Sequence, residues 1–194
     1  MRKTGAIVCI ILTLTLVACA PANSSGSPVN VTLDNQTSMD ICEVYVSAEA
    51  SNEWGKNLLA DYTPLAPGES RLFEMNPGPY DLLVRNCEGV TVLSIAKFSS
   101  DIALTIGGSG TVPLQVENAS TAEICFIYIV SQNNEGWGED QLGSVESILP
   151  GEGRIFFLDP NAYRLRAEDC DHNPLQETGA FDLTSGSTWI VGNS

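Results

Sequence analysis

The segment Ile41-Cys42-Glu43-Val44-Tyr45-Val46 recurs 83 positions later as Ile124-Cys125-Phe126-Ile127-Tyr128-Ile129. Both segments combine β-branched and aromatic side chains, a composition that favours β-strands. In each copy a second cysteine follows the first after 45 residues: Cys87 follows Cys42, and Cys170 follows Cys125. The same strand and the same cysteine spacing therefore occur twice in the chain.

The offset of 83 extends well beyond these strands. Between positions 35 and 105 it aligns 18 identical residues without a gap. Besides the cysteines, the matches include Trp54-Gly55 with Trp137-Gly138, Pro67-Gly68-Glu69 with Pro150-Gly151-Glu152, Tyr80 with Tyr163, Phe98 with Phe181 and Thr105 with Thr188. Self-similarity at one fixed period predicts an internal duplication of a single folding unit.

A glycine-rich segment, Gly107-Gly108-Ser109-Gly110, separates the two copies and has the composition of a flexible linker. A linker over 107–111 gives a first domain over 29–106 and a second over 112–194. Domains of about 80 residues have small cores, so a covalent crosslink contributes strongly to their stability.

Short apolar segments bounded by turn signals predict strands in each copy. In the first copy these segments span 29–33, 41–46, 71–75, 80–86, 91–98 and 102–106. Segment 124–130 is more apolar than its counterpart, which predicts a central strand covered on both faces. Segments 48–61 and 131–144 fit loops or one helical turn. About seven strands per copy predict an all-β fold of two tandem β-sandwich domains.

The cysteines at 42, 87, 125 and 170 allow three disulfide connectivities. Because each copy must fold as a unit, the duplication favours Cys42–Cys87 and Cys125–Cys170. A metal site is disfavoured, since no CxxC spacing occurs. A bridge from an early strand to a late one, with a tyrosine before the second cysteine, resembles immunoglobulin-like sandwiches.

The N-terminus has the pattern of a secretory signal. Arg2 and Lys3 precede an apolar run over 6–17, which is too short to span a membrane. The run ends in Leu16-Val17-Ala18-Cys19, which resembles the lipobox of bacterial lipoproteins. The resemblance implies a signal peptide over 1–18, acylation of Cys19 with palmitate-type chains, and membrane anchoring in the cell envelope. The alternative is cleavage after Ala18-Cys19-Ala20, which would release a soluble protein.

The segment from Cys19 to Pro28 is small, polar and proline-containing, so it is predicted to be a tether without a core of its own. Without the signal segment the chain has seven basic and 24 acidic residues, a net charge of −17. Such a chain lacks the clustered cations that binding to nucleic acid requires. The acidity is interpreted as a solvated surface rather than a cation site.

Catalytic motifs are missing from the sequence. There is no G-x-S-x-G elbow, P-loop, G-x-G-x-x-G, HExxH or EF-hand loop. The single histidine, His172, lies between Asp171 and Asn173 and is interpreted as part of a solvated hairpin turn. We therefore expect no enzyme activity, no cofactor and no metal.

Trp54 and Trp137 are the candidate ligand contacts, because each lies with a glycine in a polar segment. Such a ring can stack on a sugar or on a partner's side chain. The alternative, which the sequence favours, is that each ring caps the core of its sandwich. The chain is thus predicted to be a non-enzymatic binding module with a glycan or envelope protein as partner. The alternatives are a passive spacer lipoprotein and, less favoured, a cell-wall hydrolase.

Overall fold

A computed structural model describes residues 26–49, 51 and 53–192, and these residues form twelve strands and no helix. The signal segment and Cys19 lie outside the described residues. The strands of the first copy are β1 (Val29–Gln36), β2 (Ile41–Ala48), β3 (Ser70–Met75), β4 (Tyr80–Asn86), β5 (Thr91–Phe98) and β6 (Ile102–Gly107). Those of the second are β7 (Val112–Asn118), β8 (Phe126–Ser131), β9 (Gly153–Leu158), β10 (Asn161–Glu168), β11 (Pro174–Leu183) and β12 (Ser187–Val191).

The all-β prediction is confirmed, with six strands per copy rather than seven. The first copy has the strand orders β3-β1-β6 and β5-β4-β2, and the second has β9-β7-β12 and β11-β10-β8. A separate apolar core belongs to each copy. The first includes Leu33, Ile41 and Leu82, and the second includes Val116, Ile124 and Leu165.

The strand registers of the two copies follow the offset of 83 over most of their length. Val29 pairs with Met75, and Val112 pairs with Leu158 in the same relation. The offset changes to 85 in the last strand: Asn35 lies opposite Ile106, whereas Asn118 lies opposite Val191. The longer β11 accounts for the two extra residues, so the match of Thr105 with Thr188 in the ungapped alignment is wrong.

One identity between the copies is a buried polar residue. Asn35 and Asn118 are at most 1% exposed. The side-chain amide of Asn35 donates to the carbonyls of Met39 and Leu65, both at 2.9 Å. Asn118 donates to the counterparts, Ala122 and Ile148, at 2.8 Å. Each asparagine thereby adds a second hydrogen bond to loop carbonyls that already accept one from a backbone amide or a hydroxyl.

The two sandwiches are joined through one sheet. Its strand order is β12-β7-β9-β5-β4-β2, and β9 and β5 pair in parallel at Arg154 and Thr91. Neighbouring side chains of β9 therefore face different cores: Ile155 and Phe157 pack on the core of the first copy, and Phe156 belongs to that of the second. The two sandwiches thus lie on opposite faces of the shared sheet.

The glycine-rich segment is a tight turn and not an extended linker. Only four residues separate β6 from β7, and the Thr111 amide donates to the Gly108 carbonyl at 3.2 Å. Gly107 and Gly110 have φ angles of 76° and 87°, which glycine adopts without steric cost. The shared sheet makes a longer spacer unnecessary, because the copies contact each other directly.

The predicted central position of the 124–130 segment is wrong. β8 lies at the edge of the β11-β10-β8 sheet. Its outward side chains are covered locally instead: the Phe126 ring stacks on His172 with 4.0 Å between ring centroids. Apolar residues on an edge strand can therefore be buried by a neighbouring turn, without a further strand.

The disulfides join Cys42 to Cys87 and Cys125 to Cys170, which confirms the predicted connectivity. Each bridge lies at the end of an antiparallel pair within one sheet, β2 with β4 or β8 with β10. The resemblance to immunoglobulin-like domains does not extend to this feature, because their conserved bridge links the two sheets.

Candidate ligand-binding surface around Trp54

Trp54 lies in the loop between β2 and β3, and its ring is partly exposed to solvent. Its exposed fraction is 36%, and it is not among the side chains that form the first core. The interpretation that this ring caps the core is therefore wrong. An apolar ring of this size held at the surface is available for contact with a ligand.

The loop that carries Trp54 is fixed against β2. The Ser47 hydroxyl donates to the Glu53 carbonyl at 2.9 Å, and the Gly55 amide donates to the Val46 carbonyl at 3.1 Å. A Cβ atom on Gly55 would lie 2.5 Å from the Val46 oxygen. Only glycine fits this close backbone approach, which explains the Trp-Gly dipeptide in the first copy.

Asn57 fixes the second half of the same loop. Its Oδ1 accepts from the amides of Val44 and Leu59, at 3.0 and 2.9 Å, and its Nδ2 donates to the Cys42 carbonyl at 3.1 Å. Asp140 accepts in the same way from the Ile127 amide in the second copy. Both loops are thus tied to the strand that precedes them.

A hollow of about 250 Å³ lies beside the Trp54 ring, at the seam between the two copies. Its other lining residues are Ser47, Ser51, Glu53 and Asp81 from the first copy and Ser144 and Val145 from the second. The hollow combines one aromatic ring with carboxylates and hydroxyls, which are acceptors for the hydroxyl groups of a ligand.

Trp137 has different surroundings, although its sequence context is similar. Its half-buried ring stacks under the guanidinium of Arg164, whose Cζ lies 4.3 Å from the ring centroid, and Arg166 lies at 5.6 Å. The ring is not part of the second core, so the capping interpretation is wrong here as well. Asp81 occupies the position of Arg164 in the first copy, so the charge beside the two rings is opposite.

His172 lies in the turn between β10 and β11, as the sequence predicted. Its φ is 62°, and its side chain is 63% exposed. Asp169 holds the turn by accepting from the amides of Asp171 and Asn173. The side-chain amide of Asn173 also donates to the Asp169 carboxylate, and this bond, followed by the one from the Asn173 backbone amide, lowers the pKa of Asp169 below its usual value. His172 Nδ1 lies 3.2 Å from a Glu168 oxygen.

Among the described residues, one group of possible metal ligands comes together, consisting of Glu123, Cys125 and Cys170. The two sulfurs are bonded to each other in a disulfide and are not available as thiolates. This group therefore does not form a metal site.

The hollow itself cannot be predicted from the sequence. Glu53 belongs to the polar segment around Trp54, but Asp81, Ser144 and Val145 come from other parts of the chain. They reach the ring only through the pairing of β2 with β4 and the contact between the copies. No local sequence signal marks them.

Within the part of the chain that the structure describes, no helix has the length and apolarity needed to cross a membrane. No protein-family model matches the chain, and no curated protein matches it in sequence.

Several solved structures align over most of the chain at low similarity. A family 26 carbohydrate-binding module of Eubacterium rectale Amy13K, solved with maltoheptaose, is 9% identical, with a TM-score of 0.32; the alignment covers 84% of this chain and 92% of that one. The Bacillus anthracis TIE protein is 9% identical, with a TM-score of 0.30, and this chain covers 34% of its length. That alignment covers 86% of this chain.

The shaft pilin SpaA of Lactobacillus rhamnosus GG is also 9% identical, with a TM-score of 0.26 and coverage of 86% of this chain and 96% of the pilin. Similarity of this size carries no functional argument, so the proposal below depends on the residues of this chain.

Proposed function

We propose that this chain is a non-enzymatic binding module of the cell envelope, anchored through Cys19, which binds an uncharged glycan at the hollow around Trp54. The observation that carries the proposal is the ring of Trp54, which is held partly exposed by a fixed loop next to the carboxylates of Glu53 and Asp81.

The chemistry of the hollow suits a sugar. A pyranose has apolar C–H faces that stack on an aromatic ring, and a rim of hydroxyl groups that donate hydrogen bonds to carboxylates. The hydrogen bonds of Ser47 and Gly55 order the loop before the ligand arrives, so less conformational entropy is lost on binding. The net charge of −17 after removal of the signal segment disfavours polyanionic ligands.

Retention on insoluble glycans tests this function. The exported chain with Cys19→Ser should be retained by at least one of cellulose, chitin and starch. Trp54→Ala should abolish retention, because the stacking surface is lost. Tyr62→Ala is the matched control, since Tyr62 is an exposed aromatic residue (67%) that does not line the hollow. The proposal fails if no glycan retains the protein, or if both variants bind equally.

Folding of the variants is checked by thermal melts. A buried tryptophan truncated to alanine costs about 3–5 kcal/mol. Trp54 is outside the core, so we expect a loss of about 1 kcal/mol or less, within the range of surface substitutions near a structural feature.

A passive spacer is the second candidate, and the shared six-stranded sheet favours it, because direct contact between the copies makes the two domains one continuous unit. A spacer would show no glycan retention, and its role would survive Trp54→Ala in cells.

A further inference from the structure

The contact between the two copies has two sides. We call β9 of the second copy the donor side, because it supplies an apolar side chain to the core of the other copy, and β5 of the first copy the acceptor side. On the donor side, Ile155 of β9 enters the core of the first copy and is 3% exposed. Beside it, Arg154 Nε lies 3.1 Å from the carboxylate of Glu146. On the acceptor side, the Ser94 hydroxyl of β5 donates to that carboxylate at 2.5 Å. Both charged side chains are at most 7% exposed.

Because the chain is a repeat, each copy contains a strand equivalent to each side of this contact. The donor side recurs at β3 and the acceptor side at β11, and both strands lie at sheet edges in the part of the chain that the structure describes. Leu72 is the counterpart of Ile155 at the offset of 83. Leu72 pairs with Thr32, just as Ile155 pairs with Gln115. Leu72 is 61% exposed, which is unusual for a large apolar side chain on a strand.

A groove of about 560 Å³ runs along β3 and is lined by Tyr62, Arg71, Leu72 and Phe73, among others. Tyr62 is 67% exposed. In the second copy, the corresponding strand β9 is covered by β5 of the first copy. The groove on β3 thus lies where, in the second copy, an edge strand of the β5 type is placed.

The charged residues at the two positions are complementary in the same way, although the carboxylate comes from the β8–β9 loop in the internal contact and from β11 at the free edge. In the internal contact, Arg154 meets Glu146, and Ser94 supplies the hydroxyl. At the free edges, Arg71 corresponds to Arg154. Thr63 corresponds to Glu146 and Glu177 to Ser94, so the carboxylate and the hydroxyl have exchanged places. The three corresponding positions of each set supply one guanidinium, one carboxylate and one hydroxyl; at the free edges Glu69 also lies 3.9 Å from Arg71, and Arg166 lies 3.7 Å from Glu177.

We propose that chains associate head to tail, with β11 of one copy of the chain placed against β3 of the next. Leu72 then takes the place on the second copy that Ile155 has on the first, and Arg71 pairs with Glu177. Such a contact is heterologous and leaves a free edge at each end, so it generates rows of chains and not closed dimers.

Two residues of β11 weaken this contact relative to the internal one. Pro174 stands where the first copy has Thr91, and it has no amide hydrogen to donate. Gln176 stands where the first copy has Leu93. Its Nε2 donates to the Ile190 carbonyl at 3.1 Å, and its Oε1 accepts from the Gly192 amide at 2.8 Å. Association therefore requires a high local concentration of chains, such as anchoring to one membrane surface provides.

Sedimentation velocity on the exported Cys19→Ser chain, over a range of concentrations, tests the proposal. We expect concentration-dependent association that Arg71→Glu weakens by about tenfold or more, as removal of one partner of a desolvated charge pair does. Glu177→Arg should weaken it equally. An equimolar mixture of the two variants should associate again, because Arg71 of one meets Glu177 of the other.

A gain-of-function variant keeps the proposal falsifiable if the native contact is weak. Pro174→Thr with Gln176→Leu restores the residues of the first copy and should tighten association. Circular dichroism of each variant controls for misfolding. The proposal is overturned if this double variant sediments as a monomer at every concentration. It is also overturned if association is insensitive to Glu177→Arg, which would indicate a symmetric dimer through β3.

Discussion

Ile155 belongs to the second copy by sequence and to the core of the first by packing, so Ile155→Ala is predicted to destabilise the first copy. Ile155 is 3% exposed and lies among residues such as Val92 and Ile106. Truncation of a buried isoleucine to alanine costs about 2–5 kcal/mol, and we expect about 3 kcal/mol here.

The size of the Tm shift reports how many cooperative units the chain has. A loss of about 3 kcal/mol lowers the Tm by about 12–24 °C if each copy unfolds alone, and by about 6–12 °C if both unfold as one unit of about 160 residues. Leu72→Ala is the matched control, because Leu72 is the counterpart of Ile155 in the first copy and is 61% exposed. Its truncation should change the free energy of unfolding by at most about 0.5 kcal/mol.

Hydrogen exchange locates the effect. In Ile155→Ala, amides of β4 and β5 in the first copy should lose protection, since their core has lost a side chain supplied by β9. If only the second copy loses protection, Ile155 does not pack in the first core, and the shared sheet is wrong.

Other substitutions test the loop, the buried ion pair, the turn and the anchor. Gly55→Ala should displace the loop and abolish glycan retention, whereas Gly136→Ala, where a Cβ meets nothing within 4 Å, should leave retention unchanged. Glu146→Gln leaves the buried guanidinium of Arg154 without its charge partner, and should cost about 3–5 kcal/mol in urea unfolding. Asp169 should titrate below 3.8 by carboxyl NMR; because its folded pKa is lowered, the stability it contributes is present above its unfolded value and is lost as the pH falls through the folded pKa. Cys19→Ser should move the protein from the membrane fraction to the soluble fraction, and an unacylated N-terminus in the wild type would contradict the anchor.

The strands, the loops and the disulfides could be predicted because their signals are local or repeated. Alternation, turn dipeptides and the 45-residue cysteine spacing are all visible in the chain. The shared sheet also left a signal: β9 reads Ile155-Phe156-Phe157-Leu158, whereas β3 reads Leu72-Phe73-Glu74-Met75. An uninterrupted apolar run is typical of a strand buried on both faces, and this difference between the copies indicates that β9 is internal.

The surroundings of the two tryptophans could not be predicted in the same way. Whether a ring faces Asp81 or Arg164 depends on which strand lies beside the loop and in which register. The identical Trp-Gly dipeptides therefore do not indicate that the charges beside the two rings are opposite. The duplication preserved the loop but not the side chains of the neighbouring strand.

The first and last strands of each copy are parallel neighbours: β1 pairs with β6, and β7 with β12. A mechanical pull between the N-terminal segment and the second copy would enter the first copy at Val29 and leave it at Gly107, at opposite ends of this pair. The force would act along the strands, so several hydrogen bonds would have to break together rather than one after another. This shear geometry makes the first copy stiff against extension between these two points.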